Sequence, residues 1–526
     1  MILSDVTAEV IVVSGLSRRR RYLVLAICCL SLFIVGLDAT IVNVALPSIG
    51  RELHAPVSGL QWTIDAYSLV LASLLMLSGS TADRVGRRRT FQAGLALFTL
   101  GSLLCSVAPG LGWLVAFRML QAVGGSMLNP VAMSIITNTF TEPAERARAI
   151  GVWGGVFGLS MALGPVLGGA LVDVVGWRGV FWVNIPVGIA ALVLTALFVP
   201  ESKAPRPRRL DPFGQVLVIV LLGSLTYAVI EGPAYGWESA RIVSFLTVAV
   251  IALAVFIGYE RRRREPLVDL RFFRSLPFSG ATATAVTAMA ALGGFLFLNT
   301  LYLQEVRGYR PLVAGLFLLP MAAAMAVCAP LAGRMVARRG TRMPLLIAGA
   351  GVMAGGVLLT ALTASTSVVY LIVSYLVFGI GMGTVNAPIT NSAVSGMPRE
   401  QAGVAAGIAS TSRQVGQVLG VAVMGSVLAA NLHGPLPSGF AAATRPGWWI
   451  IAACGFAVIV LALIATGRRG RASAAKTATL VATAEEAVEK VPAALASAAD
   501  IAQYAVAPIR SGRSRQTAPR IDTRRT

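Results

Sequence analysis

The chain reads as an all-α polytopic membrane protein, and three observations carry that expectation. Hydrophobic residues make up 56% of its 526 residues and charged residues only 13%, with a mean hydropathy of +0.76, outside the range of soluble domains. The apolar residues run continuously, about twenty at a time, instead of alternating in period two, which excludes a transmembrane β-barrel. Basic residues cluster on alternate connections between these runs.

In chain order, fourteen spans fall near 22–47, 60–81, 90–108, 112–138, 148–172, 179–199, 213–230, 241–258, 277–303, 311–333, 343–363, 367–395, 402–430 and 447–466. The first follows Arg18–Arg21, which imitates a secretory signal. Its apolar run is too long for a signal core and lacks a clear small-residue cleavage site, so it is expected to be a retained helix. The span at 402–430 is the weakest, because it holds Arg413 and two glutamines. Charge parity keeps it, since without it the basic tail would be exported.

Counted from a cytoplasmic N-terminus, the inner connections and both terminal segments carry 36 of the 44 Lys and Arg. The outer connections carry Arg51, Arg178, Arg241, Arg307, Arg310 and Arg445. Both termini are therefore expected in the cytoplasm. The net charge of +21 then reports orientation and contact with anionic lipid, with no nucleic-acid partner expected. Three of the 44 basic residues are Lys, a compositional hint of a GC-rich bacterial coding sequence. Cys28, Cys29, Cys105, Cys328 and Cys454 all lie in apolar runs and read as small core residues, with no disulfide framework or thiolate metal site.

The layout is six spans, two, and six: an N-terminal segment 1–21, a bundle 22–199, a linker with two extra helices 200–276, a bundle 277–466, and a basic tail 467–526. The connections "GSTADRVGRRRTF" and "GRMVARRGTRMPL" occupy the same place in the two sixes and look like a degraded repeat, as in carriers built from related halves. The tail begins Ala-rich with a short helix expected near 485–490, and its last part is expected to be disordered.

Enzyme signatures are nearly absent. His54 and His433 fall in outward loops, and no Walker-type Gly-rich Lys loop is present, so no metal site, proteolytic triad or ATP hydrolysis is expected. Work must come from an ion gradient or a partner.

The charges inside spans are Asp38, Asp65, Arg118 and Arg413. An Asp near the centre of a membrane helix costs about 2.5–3.5 kcal/mol on insertion scales. Asp38 lies roughly 13 Å from the outer end of its span, and Asp65 and Arg118 about five and six residues from theirs, so all three fall in the outer half of the first bundle. Two readings fit. Asp and Arg118 form a buried ion pair that merely satisfies its members, or two acids against one Arg leave a carboxylate that must be met by a proton or a cation.

In the fifth span, "GVWGGVFGLSMALGPVLGGALVD", small residues at spacing four (Gly151 and Gly155, Gly154 and Gly158, Ser160 and Gly164) are expected to admit a close helix. Pro165 removes a backbone donor and permits a bend. Asp83, in "GSTADRVGRRR", is either a solvated charge or holds a neighbouring helix end or basic group that it releases on switching.

Taken together, "LDATIVNVALP", "GSTADRVGRRR", "RMLQAVGG", "LGPVLGG", "WRGVFWVNIPVG" and "SRQVGQVLG" resemble segments of the fourteen-helix drug:proton antiporters (QacA/EmrB-like) of the major facilitator superfamily, over about residues 20–466. The resemblance implies the major facilitator fold and export of lipophilic, often cationic, compounds from the bacterial cytoplasm, driven by inward proton flow through alternating access. It implies proton-coupling or substrate roles for Asp38, Asp65, Arg118, Gln121 and Arg413. It also implies a conformational-switch loop of Gly79, Asp83, Arg84, Gly86, Arg87 and Arg88, and an antiporter motif of Gly164, Pro165, Gly168 and Gly169. No cofactor beyond the proton gradient is expected, and the partners are a small-molecule substrate, protons and the lipid bilayer, with function as a monomer. Thr81 departs from the family's usual Leu, and no acid is expected in the last six spans. A dedicated exporter of one metabolite or antibiotic is the alternative, and a non-transporting membrane sensor a third.

Overall fold

The computed structural model describes residues 17–204, 210–263, 266–395, 402–470, 472–477 and 479. The helix expected near 485–490 lies outside the described residues.

The helices are α1 (Arg18–Glu52), α2 (Val57–Val85), α3 (Arg87–Ser106), α4 (Leu111–Thr139), α5 (Pro143–Val175), α6 (Gly179–Trp182), α7 (Asn184–Phe198), α8 (Pro212–Tyr235), α9 (Ala240–Glu260), α10 (Leu276–Leu301), α11 (Pro311–Phe317), α12 (Leu319–Arg339), α13 (Arg342–Leu359), α14 (Val368–Val394), α15 (Ala402–Asn431) and α16 (Leu436–Ala465). Thirteen helical segments among the described residues are long and apolar enough to cross a membrane. α3 is the expected span that falls short, because Arg87–Arg89 and its Thr, Ser and Gly residues dilute it. It is nonetheless a continuous helix packed between α4 and α7. The weak span survives as α15.

Several helix ends differ from the expected ones. α1 begins at Arg18, with Ser17 capping the Arg20 N–H at 3.4 Å, and runs through Pro47 to Glu52. Asp38 is therefore about 20 Å from that end, deeper than expected. A π-helical turn, Tyr302–Val306, extends α10 and brings Glu305 into the helix, so the last six spans do hold an acid at their margin. The span expected at 311–333 breaks at Leu318, where α12 restarts with proline in its first turn, a position that needs no donor. Gly86, at φ +125°, turns the chain between α2 and α3 with no intervening loop, a conformation that favours glycine.

One end of the molecule carries Arg18–Arg21, Arg87–Arg89 and Arg338–Arg339, and the two ends are packed differently. At the far end, early helices are tied to late ones. Gln61 donates to the carbonyls of Val421 (3.3 Å) and Ala422 (2.7 Å), Gln304 donates to Val44 O at 2.8 Å, and Arg51 pairs with Glu305 at 2.8 Å. At the arginine-rich end Ala149, Ile150, Trp153 and Val156 pack α5 onto the core and Glu145 pairs with Arg21 at 2.6 Å, but another face of α5 and one of α12 are open: Gly151, Gly154, Gly155, Gly158 and Gly333 meet no described atom where a side chain would start. The small-residue ladder of Gly151–Gly158 therefore meets no helix here, contrary to expectation.

Candidate functional site

Asp38 sits near the middle of α1 and is fully buried, with Arg118 and Gln121 of α4, Ser102 of α3 and Asn184 at the start of α7 also buried around it. Arg118 Nη1 donates to Asp38 Oδ2 at 2.5 Å and to Gln121 Oε1 at 2.7 Å. Gln121 Nε2 donates to Asp38 Oδ1 at 2.9 Å and to Ser102 Oγ at 2.7 Å. Asn184 Nδ2 completes the set, 3.1 Å from both Asp38 Oδ1 and Ser102 Oγ. The guanidinium also reaches Thr63 O at 3.3 Å and lies 4.1 Å from the Tyr67 ring centroid, so its charge is spread over a carboxylate, a carbonyl and a π-face. Five helices thus converge on one charge pair.

Asp65 is brought close in sequence register and left unpaired. It is fully buried on α2, and neither of its oxygens has a hydrogen-bond partner among the described residues. Arg118 therefore balances Asp38 and not both acids. One turn away on the same helix, Gln61 crosses to α15, and Trp62 Nε1 donates to Glu231 Oε1 of α8 at 2.9 Å. Asp65 thus lies just beneath the far-end closure. Burying a carboxylate without donor or counter-charge is costly.

Arg413 is not part of this constellation. It lies on α15, donates to Thr390 Oγ1 at 3.5 Å, and forms no ion pair among the described residues. At the α2–α3 junction, Asp83 in the last turn of α2 pairs with Arg87, the first residue of α3, at 2.9 Å. The helix end is held by Glu201 instead, which accepts from the Arg88 N–H at 3.1 Å and the Arg89 N–H at 3.3 Å, an anion placed at the positive end of α3. The Arg88 side chain donates to Ala196 O at 2.6 Å, and the loop backbone is stitched to the segment after α7 by Arg87 N–H to Ser202 O and Ala204 N–H to Asp83 O. Gly79 faces Pro130 at ordinary contact distance.

On α5 the double glycine faces two ways. Gly164 abuts Thr40 and Gly168 abuts Ile41 on α1, while Gly169 abuts Pro311 and Leu312, and Gly315 of α11 abuts the Pro165 carbonyl. Any side chain would collide on either side, so these residues set the approach of α1 and α11. Asp173 accepts from the Leu312 N–H at 3.2 Å and caps that junction.

Sequence reasoning missed Asn184, Ser102, Glu201 and Gln61. For Asn184 a signal existed: a lone amide opening an apolar span inside "WRGVFWVNIPVG".

Residues 28–421 match the Major Facilitator Superfamily. The chain is 42% identical over 418 residues to the "Multidrug resistance protein Stp" of Mycobacterium tuberculosis, covering 80% of this chain and 78% of that one. It is 37% identical over 442 residues to the "Tetracenomycin C resistance and export protein" of Streptomyces glaucescens, covering 82% and 80%. Among solved structures, an inward-facing, unoccupied bacterial homologue of the human lysosomal transporter Spinster matches with a TM-score of 0.59 at 17% identity, covering 89% of this chain and 99% of that one, a likeness of fold. With this match over most of its length, its apolar helices and its bacterial relatives, the chain belongs to the Major Facilitator Superfamily, a family of transporters rather than enzymes, and is a multi-pass protein of the bacterial cytoplasmic membrane.

Proposed function

We propose that the chain is a proton-coupled antiporter of the fourteen-helix drug-exporting branch, moving lipophilic, often cationic, compounds out of the cytoplasm by alternating access. In this reading α3 is the fourteenth span and both termini are cytoplasmic. The bundles 22–199 and 277–466 rock about the site, and α8 and α9 belong to the linker 200–276. The observation that carries the proposal is the pair of buried acids served by a single arginine. Asp38 is neutralised by Arg118, whereas Asp65 is satisfied by a proton or by a cationic substrate, one at a time. That exclusivity is what exchange requires. Arg118, Gln121 and Asn184 hold Asp38 in place, and a proton arriving on Asp38 weakens the grip on Arg118. The names of the relatives, a multidrug resistance protein and an antibiotic resistance and export protein, support drug export.

The test is ethidium efflux from vesicles of controlled orientation under an imposed proton gradient. Wild type is expected to extrude the dye, and Asp38→Asn to abolish gradient-dependent movement. A wild type that moves no cationic dye in a verified gradient sinks the cationic-drug reading. It would favour export of one dedicated compound, the reading suggested by the tetracenomycin C relative.

A further inference from the structure

α8 and α9 form a hairpin whose open ends meet in a polar knot at the arginine-rich end, apart from the site above. Asp211 caps α8: its Oδ1 accepts from the Gly214 N–H (2.9 Å), the Tyr259 hydroxyl (3.1 Å) and Arg263 Nη1 (2.9 Å). Glu260, the last residue of α9, accepts from the Val268 N–H at Oε2, 3.1 Å. Asp211 and Glu260 are only 4% and 3% exposed. One oxygen on each is left over: Asp211 Oδ2 and Glu260 Oε1 are buried with no hydrogen-bond partner among the described residues. Both crowd the same point, since a side-chain carbon on Gly214 would lie 2.5 Å from Oδ2 and 2.9 Å from Oε1. The two orphaned oxygens therefore face the same small space beside Gly214.

We propose that Asp211 and Glu260 share one proton, forming an acid–carboxylate bridge that closes the open end of the α8–α9 hairpin. Among the described residues, two carboxylates against the single guanidinium of Arg263 leave one negative charge too many, and one proton both cancels it and supplies the donor that two orphaned oxygens lack. The proton resides on Glu260 Oε1 and donates to Asp211 Oδ2, because Asp211 already carries three donors, one of them cationic, and is the better-stabilised anion. A hard metal ion fits worse, since it takes about six oxygen ligands and the pair offers two. The other groups facing the pair do not supply the missing charge. Tyr259 and Arg263 are engaged with Asp211, and Asp269, next to Val268, is paired with Arg271 at 2.7 Å. α2 meets α8 beside the pair through Ser73 O, which accepts from Gln215, and α15 presents Val415, Val418 and Leu419 to α8.

A folded state that holds a proton the unfolded chain has released loses stability as pH rises, from about pH 5 to the pH at which the shared proton leaves. The test uses the full chain in lipid, labelled with carboxyl-13C glutamate and read by infrared spectroscopy, because Glu260 is the buried glutamate among the described residues. An isotope-shifted carboxylic-acid C=O band is expected at neutral pH, lost in strong alkali, absent from Glu260→Gln and retained in Asp38→Asn. Thermal unfolding gives the second readout. Wild type is expected to melt lower as pH rises over this range, whereas Glu260→Gln, whose amide donates to Asp211 without a proton to lose, is expected to lose that dependence. No labelled acid band at neutral pH, or a pH dependence unchanged in Glu260→Gln, would overturn the proposal. If Glu260→Gln fails to fold, the spectrum of the labelled wild type decides alone.

Discussion

Asp38 and Asp65 are both fully buried in neighbouring helices, yet Arg118, Gln121 and Asn184 all donate to the first and no described residue donates to the second. Equal burial therefore conceals opposite states of compensation. An acid wrapped in donors from three directions contributes to the fold as much as to any proton traffic. An acid left bare contributes nothing to the fold and is tolerated only where another charge visits it.

The largest effect follows from breaking the compensated site. Asp38→Ala leaves Arg118 buried without its counter-charge and is expected to cost about 3–5 kcal/mol, read as thermal unfolding in lipid. The double change Asp38→Asn with Arg118→Gln is expected to recover most of it, because no charge is then stranded. Removing one donor is a smaller perturbation: Asn184→Ala is expected to cost about 1–2 kcal/mol and to slow dye efflux while leaving it gradient-driven. The smallest change in stability falls on the bare acid. Asp65→Asn is expected to shift unfolding by less than about 1 kcal/mol while abolishing ethidium efflux. A large destabilisation by Asp65→Asn would erase the contrast, since it would reveal a structural partner for that carboxylate.

How much of this was legible in the residues follows from what spacing can encode. A charge alone in an apolar run advertises itself, so Asp38, Asp65 and Arg118 were found. Register gives depth along a helix but neither its rotation nor its neighbour, so the choice of Asp38 over Asp65 as the partner of Arg118 was not visible. Depth itself failed where helices outran their apolar cores, as α1 does to Glu52 and α10 does to Val306. In the small-residue ladder of α5, Ser160 and Gly164 lie against α1, whereas the glycines nearer its start meet no described helix, because a small residue permits contact without compelling it. Acids set among arginines were the least legible. Glu201, Asp211 and Glu260 look like solvated charges in basic connections, and the fold turns one into a helix cap and buries the other two.

α5 has one glycine face seated against its neighbours and another left open. The open face carries Gly151, Gly154, Gly155 and Gly158, a stretch on which a second helix backbone could rest as α1 and α11 already rest on Gly164, Gly168 and Gly169. A stiff rod with one such face filled and one empty behaves as a see-saw: seating the empty face unseats the full one, and like surface is exchanged for like. Such a beam tips easily. Inverting even a 1:99 population takes about 5.5 kcal/mol, which is within the reach of a few charges arriving at or leaving its pivot.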